Sequence, residues 1–220
     1  MSELVHRQRQ GLCDMLADLT PEQWAAPTLC AGWDAADVAA HLIVREREPW
    51  TAPGLVVGGR LAKLTAQRYA AWKARGHRRL VQALRSGPPW PLSGVLGDSQ
   101  AVEDWIHEQD IRRGGAGLPT PEPDAPLAEA LWRAVRRIGA RTLAVGAPLI
   151  IELTDGLRHH RLKARGRAPL AMSTSAPPDV IISGPISELL LYIAGRSGAE
   201  VAVSGDPENV SLLARHRRRI

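Results

Sequence analysis

Two ionisable residues sit four apart in the stretch V-E-D-W-I-H-E-Q-D-I-R-R, Glu103 and His107, and a lone His41 lies far upstream in D-A-A-D-V-A-A-H-L. Positions i and i+4 of a helix stand one above the other on a single face. A carboxylate and an imidazole placed in that way can grip one metal ion. A third ligand from another helix would complete a two-histidine, one-carboxylate set, which suits zinc and leaves a coordination position open. An open position serves chemistry rather than scaffolding. The same spacing also fits an amphipathic helix with Glu103 and His107 on its polar edge, and a core histidine at His41 among Val38, Ala40 and Leu42. Asp110 shares the His107 face. It would orient the imidazole as an outer partner or pair with an arginine. Arg112 and Arg113 follow directly, and one of them could hold a substrate carboxylate with both arms of its guanidinium.

The elements that must position these residues read as helices for the first two thirds of the chain. Residues 2–18 carry Leu4, Val5, Leu12, Met15 and Leu16 at roughly helical spacing. Thr20 is a candidate N-cap, with Pro21 at the first helical position and Gln23 three residues after the cap. Asp34 caps a helix through Val38, His41 and Leu42. A third long helix is predicted over about 58–74, and a short one, R-R-L-V-Q-A-L-R-S-G, closes on Gly87. Asp98 or Ser99 caps the helix bearing Glu103 and His107, which Gly114 and Gly115 stop. The loop 88–97 and the proline-rich stretch 116–126 are read as connections.

After that stretch the texture changes. One more helix covers 127–145. P-L-I-I-E-L-T-D-G reads as a strand, H-R-L-K-A-R as its hairpin partner, D-V-I-I-S-G-P and E-V-A-V-S-G-D as two further strands, and S-E-L-L-L-Y-I-A-G-R as a helix between them. The expectation is a helical bundle followed by a small α/β or α+β part. The boundary falls between about 115 and 150 and is placed nominally at 145/146.

Bulk properties bound the function. The 220 residues are 45% hydrophobic, enough for a real core. No apolar run spans a bilayer, and the start M-S-E-L-V-H-R-Q-R-Q carries charges where a signal peptide needs an apolar stretch, so a cytoplasmic protein is expected. Cys13 and Cys30 then stay reduced, and neither has a C-x-x-C partner. Cys30 is read as loop packing beside Trp33. The net charge of +5 comes from scattered arginines apart from the tail A-R-H-R-R-R-I, a poor case for nucleic-acid binding. His159 and His160 are read as solvated, and S-G-D-P-E-N at 204–209 as a turn and helix start.

T-L-C-A-G-W-D-A-A-D-V-A-A-H-L resembles the entry motif of the mycothiol-dependent maleylpyruvate isomerase family, within the broader DinB-like helical bundle superfamily. V-E-D-W-I-H-E-Q-D-I-R-R resembles that family's second metal motif, and G-P-I-S-E-L-L-L-Y-I-A-G-R…V-S-G-D its small C-terminal α/β domain. The resemblance implies a DinB-like four-helix bundle followed by that domain. It implies His41, Glu103 and His107 as ligands of zinc or another divalent metal, with a water or a thiol in the remaining position. The implied thiol is mycothiol, acting on a small electrophilic, carboxylate-bearing substrate. As a metal-bound thiolate it would be the nucleophile. In an isomerisation it adds to a conjugated double bond, permits rotation and leaves; in an S-transferase it stays attached. Two other readings stand beside this one. One is metal-assisted hydrolysis, with Glu108 or Asp110 as base. The other is a non-enzymatic metal binder of the same fold.

Overall fold

Side-chain caps start the first three helices. Ser2 accepts from the Val5 amide and opens α1, Glu3–Asp18. Thr20 and Gln23 form a capping box at α2, Pro21–Ala25, and Asp34 and Asp37 form another at α3, Ala35–Arg47. Each box satisfies two amides that the first turn of a helix leaves unpaired. A single 3-10 turn, Pro49–Thr51, follows. Then come α4, Gly59–Lys73, α5, His77–Arg85, and α6, Ser99–Arg112. Asp98 occupies the N-cap of α6 but makes no capping bond. Its backbone is already helical there, and its carboxylate instead accepts from the Ser2 hydroxyl at 2.9 Å.

This computed structural model describes residues 2–51, 59–89, 97–143, 149–163 and 177–216. The centre of the loop at 90–96 and the arginines of the tail beyond His216 lie outside the described residues.

The chain forms two compact units, Met1–Pro121 and Glu122–Ile220. In the first, α3 packs against α2, α4, α5 and α6, while α1 packs against α5 and α6. Leu12, Leu16, Trp24, Val38, Leu42, Leu80, Leu84 and Ile111 fill the space between them. Burying each large aliphatic side chain contributes about 1.5–3 kcal/mol. The α3 residues Ala35, Ala36, Ala39 and Ala40 are buried too, and their small side chains let neighbouring helices close on it. His41 therefore enters a helix that is apolar nearly all round.

The division at Pro121–Glu122 falls within the expected range of about 115–150, ahead of the nominal 145. Helix α7, Ala125–Thr142, belongs to the second unit. The reason is packing: Leu127, Leu131 and Val135 are buried, and a methyl group at Gly139 would stand 3.2 Å from both Leu153 and Leu162 of the sheet. That sheet has the order β2-β1-β3-β4. Strands β1, Ile150–Thr154, and β2, His159–Lys163, form the expected hairpin. Strand β3, Val180–Ser183, runs parallel to β1, and β4, Ala202–Gly205, antiparallel to β3. Helix α8, Ile186–Ile193, links β3 to β4 and packs against α7, and α9, Pro207–His216, follows β4. The turn before α9 closes on itself, since Asp206 accepts from the Glu208 amide.

Candidate metal centre

At about 100° per residue, Glu103, His107 and Asp110 share one face of α6. His41 of α3 meets that face. The Nε2 atoms of His41 and His107 each lie 3.6 Å from the same oxygen, Glu103 Oε1. The two imidazole rings are 4.9 Å apart, edge to face. One donor atom from each of the three residues lies within 4.8 Å of the others. Ligands about 2.1 Å from a tetrahedral zinc would stand roughly 3.4 Å apart. The nitrogen-to-oxygen separations fit that requirement without rearrangement.

The second nitrogen of each ring is held from behind. His41 Nδ1 is 2.9 Å from the Tyr69 hydroxyl on α4, and His107 Nδ1 is 2.9 Å from Asp110 Oδ2. With Nδ1 as the donor in each ring, its Nε2 would be free to bind a metal; without one, an Nε2 proton can face Glu103 instead. Tyr69 is brought there by a tie one turn along α4. Lys73 pairs with Asp34 at 3.1 Å and Asp37 at 2.7 Å, the two carboxylates that cap α3. Asp37 and Lys73 are each one turn from the pair they support, His41 and Tyr69. Asp110 in turn accepts from Cys30 Sγ at 3.1 Å. The loop carrying Cys30 is fastened by the Leu29 amide to the Asp110 carbonyl at 3.0 Å and by the Gly115 amide to Pro27 at 2.6 Å. Trp33, at the end of that loop, packs against both His41 and Tyr69.

Electrostatics follow from this crowding. Burial opposes the charge on Glu103, but hydrogen bonds from His107 and His41 outweigh it and hold the carboxyl well below its usual range. Burial likewise opposes charge on His107. The bonds to Asp110, Cys30 and Glu103 prevail and hold its imidazole well above the ordinary value. For His41 burial wins, helped by the neighbouring His107, and its pKa falls. Burial and the charge of Glu103 push the Tyr69 phenol up to about 12, so it stays protonated. Two similar histidines thus differ because only one has a carboxylate behind it.

A second trio, Cys30, His107 and Asp110, also lies within 4.8 Å. Its members hydrogen-bond to one another and back the His107 ring, so we read it as support for the first trio. A groove of about 860 Å³ between α1, α2 and α5, lined by Leu16, Trp24, Val81, Arg78 and Arg85, contains none of the three donors. The converging donors, and not that groove, mark the candidate site.

Of the other residues singled out from sequence, Asp110 lies where an outer partner of His107 should. Arg112 is about half a turn round α6 from Glu103. It bonds Glu108 at 2.7 Å and the Pro119 carbonyl at 2.8 Å. Arg113 bonds Gln109 at 3.2 Å. Neither is joined to the three donors. Glu108 is held by Arg112 and by Gln8, and Asp110 is engaged with the outer nitrogen of His107. His159 pairs with Glu152 on the sheet, at 3.1 Å. Sequence reasoning missed Tyr69, the Cys30–Asp110 contact and Arg45, whose Nε lies 3.5 Å from Glu103 Oε1. Arg45 was the one within reach: it is i+4 from His41, the same spacing that links Glu103 to His107.

A helical unit with two histidines and a carboxylate converging at its heart, followed by a small mixed four-stranded sheet, is the class of protein these features define. Residues 5–112 match the mycothiol maleylpyruvate isomerase N-terminal domain, and the helical unit belongs to that domain family. The fold of the whole chain is similar to crystal structures of the mycothiol-dependent maleylpyruvate isomerase. One, a histidine-to-alanine mutant, is 20% identical with a TM-score of 0.54, covering 91% of this chain and 90% of that chain. The other is 19% identical with a TM-score of 0.54 and the same coverage. No functionally curated protein matches the chain by sequence. No described helix is long and apolar enough to cross a membrane.

Proposed function

We propose that the chain is a zinc-dependent enzyme that uses a thiol, of the mycothiol type, to isomerise or conjugate a small electrophile. The observation that carries this reading is the convergence of His41 and His107 on one oxygen of Glu103, with both outer ring nitrogens already held. A scattered polar helix edge would have no reason to fix both rings. The donor set of two imidazoles and one carboxylate leaves a coordination position open. When bound there, zinc would hold a thiol as its thiolate at neutral pH. The thiol is suggested by the domain family and by the two similar solved structures, both of a mycothiol-dependent isomerase.

The protein's own groups have defined parts in this reading. Tyr69 and Asp110 fix the two rings. Trp33 walls His41 and keeps water from that side. Glu103 holds negative charge at the centre, and Arg45 lies beside it. The thiol would add to a conjugated double bond, the former double bond would turn as a single bond, and the thiol would leave. In a conjugation it would remain attached. Glu108 is held by Gln8 and Arg112, and Asp110 by His107, which supports thiol chemistry over hydrolysis with either as base.

The test is metal analysis of the purified protein with a thiol–electrophile turnover assay on the wild type and His107→Ala. One zinc per chain is expected in the wild type, and the variant should lose zinc and turnover together. Full turnover by a zinc-free His107→Ala protein would make the motif a relic and this reading wrong.

A further inference from the structure

His41 and Arg45 sit four apart on α3, as Glu103 and His107 do on α6. The two pairs face each other, so the guanidinium of Arg45 rises over the same centre. Its Nε is 3.5 Å from Glu103 Oε1, the oxygen both imidazoles approach. Its Nη1 donates to Gln100 Oε1 at 2.7 Å, and Gln100 donates to the buried Asp104 at 2.7 Å. Two of its three nitrogens are thus fixed by α6. The third, Nη2, has no partner among the described residues. Solvent reaches the site on this side: the Arg45 and Glu103 side chains are 26% and 29% exposed, against 11% and 7% for His41 and His107.

From this arrangement we infer that Arg45 is the anchor for an anionic group, a carboxylate, on the substrate that enters beside the metal position. The inference rests on the reading under Proposed function. A planar guanidinium held by one hydrogen bond and one ion pair keeps its orientation, so the free edge can meet a carboxylate with little further ordering. Charge points the same way. Arg45 is the cation on the side of the centre that solvent reaches, where an incoming anion would meet it. Arg112 and Arg113 bond Glu108 and Gln109 rather than Glu103, so Arg45 is the arginine at the centre. Arg45 would therefore discriminate between carboxylate-bearing electrophiles and their neutral counterparts.

The experiment is calorimetric titration of the zinc-loaded protein with maleate, a small cis-dicarboxylate, for wild type, Arg45→Gln, Arg45→Lys and Arg113→Gln, with zinc content measured for each. Arg45→Gln should keep its zinc and bind maleate at least tenfold more weakly, as expected for loss of a charge-assisted pair. Arg45→Lys should recover part of that loss, and Arg113→Gln should match wild type. Maleate affinity unaffected by Arg45→Gln, an equal loss in Arg113→Gln, or no maleate binding by the zinc-loaded wild type would overturn the inference. So would loss of zinc from both Arg45 variants, because Arg45 would then be a positioning residue for Glu103. A wild type that takes up no zinc would instead sink the underlying reading of the site, visible in the metal analysis before any titration.

Discussion

Replacing Asp110 by asparagine is the sharpest probe of how this centre is held. Asp110 is fully buried, and one oxygen serves both His107 Nδ1 at 2.9 Å and Cys30 Sγ at 3.1 Å. Asparagine preserves the size and leaves an oxygen that can still accept from the ring, but removes the charge. A hydrogen bond to a charged group contributes about 1.5–3 kcal/mol and a neutral one about 0.5–1.5 kcal/mol. The difference, about 1.5 kcal/mol, corresponds to roughly a tenfold weaker grip on zinc. It sits at the low end of the 10–100-fold commonly lost with the outer partner of a liganding histidine. The pH of the assay matters. Asp110 also holds the His107 proton, so in the metal-free protein at neutral pH zinc must displace that proton. Asp110→Asn weakens zinc binding and proton binding together, and part of the effect cancels near neutrality. Competition against a chromophoric chelator should therefore be run near about pH 9, where His107 is nearer to neutral in both proteins, as well as near pH 7. A tenfold loss at the higher pH, smaller at the lower, is expected. Equal zinc affinity for both proteins at the higher pH would refute the claim that Asp110 acts through His107.

Two further outcomes test the scaffold. Burial pushes the Asp104 carboxyl up to about 7; Arg9 opposes that shift, Glu46 adds to it, and Gln100 and Arg45 favour the ionised form. The folded chain then keeps a proton that the unfolded chain releases above about pH 4, so this group's stability contribution is lost as pH rises from about 4 to 7, with a ceiling of about 4 kcal/mol. Asp104→Asn should flatten that part of the stability curve measured by denaturant titration, and an unchanged slope would contradict it. A methyl group at Gly114 would lie 2.5 Å from the Pro27 carbonyl and 2.7 Å from Thr28 Cα, both backbone atoms. Gly114→Ala should thus cost about 2 kcal/mol in thermal unfolding, whereas Gly11→Ala, in α1 with nothing near, should gain about 1 kcal/mol. Equal melting of the two variants would show that the loop is not pinned there.

The parts of this molecule legible in its sequence are those fixed within a turn or two of chain. Thr20 with Gln23, Asp34 as a cap, and the Glu103–His107 pair all obey rules that span three or four residues, and each forms as expected. Asp98 shows the limit even there, because a contact with Ser2, far away in sequence, claims its side chain. For a related reason the nominal boundary at 145 differs from the division at Pro121–Glu122, though both lie within the expected range of about 115–150. Proline-rich composition marks a break, but which core receives α7 depends on surfaces that meet only after folding. Tyr69 behind His41 and Cys30 behind Asp110 are contacts across 28 and 80 residues. Nothing in local spacing distinguishes Tyr69 from any other tyrosine on a helix.

The centre itself is better understood as two i,i+4 pairs than as three ligands. On α3 the pair is His41 and Arg45; on α6 it is Glu103 and His107. Facing each other, they place imidazole by imidazole and cation by anion, with Glu103 Oε1 touching all three of its neighbours. A helix fixes the spacing within each pair, so only the mutual placement of α3 and α6 has to be supplied by the fold. That placement comes from three sources: the alanines that let other helices close on α3, the Lys73 clasp on its capping carboxylates, and the Cys30 loop fastened to the end of α6. Substitutions at these supports should therefore act on the site as a unit. A change at one ligand should instead remove one donor and leave the other three members of the two pairs in register.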